Sequence, residues 1–93
     1  MDKGFYNVME EVISTLVNVF MMSPDYQIFC HCYKCRNEII ALSLNTLPSH
    51  YVTTEEGRNR VFEYINSEEN RKWINNKLIQ AIHIVGKYPK HDG

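Results

Sequence analysis

The sequence predicts an all-α fold, a small single domain of four to five helices over residues 1–93. Three observations carry this. Apolar residues recur at three- and four-residue steps along most of the chain, the signature of helices that bury one face. Pro24, Pro48 and Pro89 fall where those periodic stretches end. At 93 residues there is material for one core, and no repeat, linker or low-complexity tract divides it.

The elements follow in order. Phe5, Val8, Met9, Val12, Ile13, Leu16, Val17 and Phe20, with Glu10, Glu11, Thr15 and Asn18 between them, predict an amphipathic first helix from Phe5 to Met22. Ser23-Pro24-Asp25 stops it, because proline cannot continue the hydrogen-bond ladder. The cysteine-bearing segment is then expected as a loop. Asn37-Glu38 opens a second helix, apolar at Ile39, Ile40, Ala41, Leu42, Leu44 and Leu47 on nearly every side, which places it at the centre of the fold or at a subunit interface. Thr53-Thr54-Glu55-Glu56 has the threonine-to-glutamate spacing of a capping box and begins a third helix through Val61, Phe62, Tyr64 and Ile65. Asn66-Ser67-Glu68-Glu69 caps a long last helix, with Ile74, Leu78, Ala81, Ile82 and Val85 along one face to about Lys87. Any strands are short.

Composition excludes several classes. Hydrophobic residues at 44% are too many for intrinsic disorder, and Asn, Glu and Lys interrupt them too often for a membrane span. Ten Lys plus Arg against eleven Asp plus Glu leave a formal charge of −1, so no basic field exists for duplex nucleic acid. Glu10 and Glu11 break what would be a signal core, and the expected location is cytoplasmic, where thiols stay reduced.

The three cysteines all lie in Cys30-His31-Cys32-Tyr33-Lys34-Cys35. A Cys-x-Cys step followed by Cys-x-x-Cys lets three thiolates turn onto one centre, which suits tetrahedral zinc and leaves a fourth position to another ligand. His31, His50, His83, His91, a carboxylate or a residue of a second subunit can fill it. His50, just past the helix that leaves the cluster, is the first choice. Lys34 and Arg36 beside the thiolates can offset their charge. Two alternatives stay open: reduced cysteines with no ligand, and thiols that pair on oxidation.

Other residues are read as structural. His83 is taken as a core edge, Trp73 and Tyr88 as packing anchors, and Met9, Met21 and Met22 as core filling. Asn45, inside an apolar helix, is expected as a buried amide that caps the Pro48 turn or fixes the register of a dimer. No nucleophile, base and orienting group can be assembled from spacing, and no glycine-rich phosphate loop is present, so the chain is not read as an enzyme.

Over roughly residues 8–91 the chain resembles the late-competence ComFB family. The likeness rests on Cys30-x-Cys32-x-x-Cys35, then Glu38-Ile39-Ile40-Ala41-Leu42-Ser43-Leu44-Asn45-x-Leu47-Pro48, then Tyr51-Val52, Ala81-Ile82-x-x-Val85 and Pro89-Lys90-His91. The resemblance implies a bacterial regulatory or interaction protein, zinc held by Cys30, Cys32 and Cys35, a homodimer built around the second helix, and a protein partner. Ser49 and His50 stand where the family often has proline and arginine. Some relatives act as cyclic-dinucleotide receptors. A ligand of that kind, nearly two-fold symmetric with two phosphates, would draw on Arg36, Arg58 or Arg60 and stack on Tyr51 or Tyr33. The other reading of these arginines is a solvated face interleaved with Glu55, Glu56 and Glu63.

Overall fold

The computed structural model describes residues 4–26, 30 and 32–87. Strand β1 (Tyr6–Asn7) leads into helix α1 (Val8–Met21); a 3-10 turn (Pro24–Tyr26) precedes α2 (Tyr33–Thr46); β2 (Tyr51–Val52), α3 (Glu55–Ile65) and α4 (Glu68–Lys87) complete the order. The fold is thus mostly helical, with four helices and two very short strands among the described residues.

The first helix starts later than its apolar spacing predicts. Gly4 has φ +78°, a backbone state that favours glycine, and the chain then runs extended to Asn7. Asn7 Oδ1 accepts the Met9 N–H at 3.1 Å and caps α1. Phe5 therefore precedes the helix instead of opening it. The same Asn7 oxygen accepts the His50 N–H at 2.8 Å, while the Val8 N–H donates to the His50 carbonyl at 2.8 Å. With β1 paired antiparallel to β2, Tyr6 to Val52 and Asn7 to Tyr51, these bonds fasten the start of α1 to the segment after α2.

The second helix starts earlier than predicted, at Tyr33. The cysteine segment is a loop only up to Cys32, and Cys35 already lies in the first turn. α2 packs between α1 and α4. Ile39 and Ser43 are buried, and the Ser43 hydroxyl, the one fully buried polar side chain among the described residues, donates to the Ile39 carbonyl at 2.8 Å. Asn45, expected to be buried, is exposed: it points off the face that α1 and α4 cover.

Thr54, not Thr53, caps α3, its Oγ1 accepting the Gly57 N–H at 3.0 Å. The cap is one residue late for the predicted box, since Gly57 and not a glutamate occupies the third helical position. At the α3–α4 corner the Ser67 hydroxyl accepts the Asn70 N–H at 3.2 Å, and Asn70 Nδ2 donates back to the Tyr64 carbonyl at 2.8 Å. Along α4 the predicted face is the observed one, with Ile74, Leu78, Ala81, Ile82 and Val85 all buried. They meet Met9, Ile13 and Val17 of α1 and Ile39 of α2 in one core. Met9 and Met21 fill core positions, but Met22 and Trp73 are exposed, and Tyr88 lies outside the described residues. No helix among the described residues is long and apolar enough to cross a membrane.

Candidate metal centre

Cys32 is the N-cap of α2, its backbone extended (φ −67°, ψ 161°) and its Sγ accepting the Cys35 N–H at 3.4 Å. Sulfur takes the place that serine or aspartate usually holds at a helix start. Cys35, one turn in, is 1% exposed, Cys30 is half-buried and Cys32 is open to solvent.

The three Sγ atoms lie within 4.8 Å of one another. Sulfurs sharing one tetrahedral zinc at about 2.3 Å stand about 3.8 Å apart, so small side-chain rotations would bring these three onto a common ion. The donor set fits zinc. The N-terminal end of α2, with its free N–H groups and positive dipole end, favours thiolate over thiol. The Cys32 thiol is accordingly held below its ordinary pKa, first by the Cys35 backbone N–H and then by hydrogen bonding with the Cys30 side chain. Arg36 is placed less simply than its sequence position implies, since its Nε donates to Asn18 Oδ1 at 2.8 Å and ties α2 to α1.

His50, the first choice for a fourth ligand, is not among the described residues that gather at the cluster. α2 carries it away from the cluster by roughly 20 Å, the rise of its 14 residues. There the His50 backbone is bound to Asn7 and Val8, and its ring faces Tyr64 at 5.6 Å. His83 is exposed on α4, its ring edge-on to Tyr26 at 6.2 Å. His31 and His91 lie outside the described residues. Among the described residues the three cysteines alone form a group able to hold a metal.

The residues weighed for a nucleotide are not gathered into one pocket. Arg58 makes a two-pronged pair with Glu11, Nε to Oε2 at 3.1 Å, and lies over the Phe62 ring at 4.6 Å. That pair lowers the Glu11 pKa and raises that of Arg58, chiefly through their hydrogen bond. Arg60 is exposed, 4.0 Å from Glu56. Tyr51 is exposed on β2, its ring T-shaped against Phe5 at 5.8 Å.

Sequence reasoning missed two features. Asn7-x-x-Glu10 has the spacing of a helix start, which would have fixed the beginning of α1. An open groove of about 770 Å³ runs between α1, α3 and the start of α4, floored by Val12, Leu16, Ile65 and Ile74 and bordered by Arg58 and Arg71. Its walls come from three separate helices, so no local pattern announces it.

The class so defined is that of small helical proteins with three convergent thiols at the start of the central helix, a group that could hold a metal ion. The family model described as Late competence development protein ComFB matches residues 6–89, and the chain belongs to that family. Among solved structures, the late competence protein ComFB from Bacillus subtilis is similar in fold, with a TM-score of 0.73, 24% sequence identity, and coverage of 92% of this chain and 94% of that one. No curated protein sequence matches significantly.

Proposed function

We propose that this chain is a non-enzymatic, cytoplasmic zinc-binding protein that serves competence-type physiology as a homodimeric regulatory or interaction module. The convergence of Cys30, Cys32 and Cys35 within 4.8 Å carries the reading. Zinc there would tie the loop before α2 to its first turn and so set the start of the central helix; its role is folding and assembly. The fourth ligand comes from water, from a residue outside those described, or from a second subunit.

Contact between copies is supported by α1. Val19, one turn on from the groove-lining Leu16, and Met22, the cap of that helix, are 60% and 77% exposed, whereas the buried residues of α2 are already covered within the chain. Such an interface would draw on α1, beside or in place of the second helix that the resemblance favours, whose Tyr33 is exposed and whose Ile40 and Leu44 are partly buried.

Elemental analysis of untagged protein tests the metal. One zinc per chain is expected, with less than half of it kept by Cys32→Ser and a lower melting temperature after chelation. Metal-free protein with an unchanged melting temperature would refute the reading. For the cyclic-dinucleotide alternative, Arg58 would have to leave Glu11. Calorimetric titration with cyclic di-GMP and cyclic di-AMP decides it, and absence of heat from both would remove it.

A further inference from the structure

We propose that Cys32 is a site of oxidation by hydroperoxides and that Cys35 resolves it, so that the Cys32–Cys35 pair closes into a disulfide at the start of α2. Three observations lead there. Cys32 is the exposed member of the cluster, and Cys35 is buried one turn further on, so a small oxidant in solvent reaches one sulfur before the other. Cys32 Sγ already sits over the first turn, bound to the Cys35 N–H at 3.4 Å, and the two sulfurs lie within 4.8 Å. The pair occupies the cap and third positions of a helix, where a Cys-x-x-Cys bridge forms without unwinding the helix. Cys30, by contrast, is separated from Cys32 by a single residue, and a bridge between those two would close a smaller, more strained ring.

The chemistry balances in two steps. The Cys32 thiolate attacks the peroxide; the O–O bond breaks, sulfur is oxidised to the sulfenic acid, and hydroxide leaves. The Cys35 thiol then attacks the sulfenic sulfur, the S–S bond forms, and water departs with the sulfenic oxygen. Two electrons pass from the thiols to the peroxide. If zinc is bound, two of its three thiolates are consumed and the ion is released. That release rests on the zinc reading above; the disulfide does not.

The test treats the full chain, zinc-loaded and metal-free, with hydrogen peroxide, blocks the remaining thiols, and locates the bridge by tandem mass spectrometry without reduction. A zinc-sensitive dye follows the ion. Trypsin cuts after Lys34, between the two cysteines, so their peptides stay joined only through the bridge. A Cys32–Cys35 bridge with Cys30 blocked is expected in both preparations, with one zinc released per bridge from the loaded one. Cys32→Ser keeps a good helix cap and should slow thiol loss about ten-fold, while Cys30→Ser should still form the bridge. A bridge that contains Cys30, or thiol loss unaffected by Cys32→Ser, would overturn the proposal. A chain that forms the bridge but never holds zinc would leave this site standing and sink the metal reading; one that keeps both zinc and thiols under peroxide would do the reverse.

Discussion

Asn7 shows how much one side chain can fix. Its oxygen caps α1 through Met9 and holds the His50 N–H 43 residues further on, so a local turn and a tertiary contact share one acceptor. Removing it leaves two backbone donors short of a partner. Asn7→Ala should cost roughly 1–3 kcal/mol, a cap and a semi-buried hydrogen bond together, as read by urea denaturation. Asn7→Ser keeps a capping oxygen but not the reach, and should recover part of the loss. Cys32 is the second such residue. Its sulfur starts a helix and, in the proposal above, meets an oxidant. The Glu11–Arg58 pair is more exposed and screened by water, so it orients α3 against α1 more than it stabilises them.

At the scale of elements, the sequence tells most where the chemistry is periodic. The buried face of α4 was legible, because Ile74, Leu78, Ala81, Ile82 and Val85 form one stripe that a single core absorbs, whereas Trp73 and His83, read as packing residues, are exposed. The starts of α1 and α2 were not. Phe5 has helical spacing to Val8 and Met9, yet the glycine at positive φ and the Asn7 cap hold it outside, and a cysteine cap has no common sequence signature. The cysteine cluster was visible from spacing alone. His50 follows the far end of α2, so closeness in sequence to that helix does not bring it to the cluster at the helix start. α3 offers a test of local propensity. A Cβ on Gly57 would touch Thr54 Oγ1 and Val52 Cβ at 3.4 Å, an ordinary contact, so Gly57→Ala should stabilise the protein by about 0.5–1 kcal/mol in thermal denaturation.

For the molecule as a whole, shape decides what remains unfinished. The principal extents of 43 × 31 × 20 Å describe a slab; the groove is lined in part by Val12 and Leu16 of α1, and Val19, one turn on, and Met22, the cap of that helix, are exposed. Apolar surface left exposed on one helix, with a polar border, suits contact with a second copy. Val19→Asp should convert the proposed dimer to monomer without loss of helicity. Light scattering coupled to gel filtration reads the first and circular dichroism the second. A dimer that survives Val19→Asp would place the interface elsewhere.

The strand pair that joins Asn7 to Tyr51 also bears on how quickly the chain can fold. Because Val8 meets His50 while Asn18 meets Arg36, α1 and α2 are the two arms of one hairpin, shut at its base by four backbone residues and a single amide oxygen. The thiol cluster stands at the far tip. Shutting so wide a loop costs entropy that grows with the logarithm of its length. An ion held by Cys30, Cys32 and Cys35 would grip only six consecutive residues of that loop, so it would fix the start of α2 while leaving the cost of shutting the base almost unchanged.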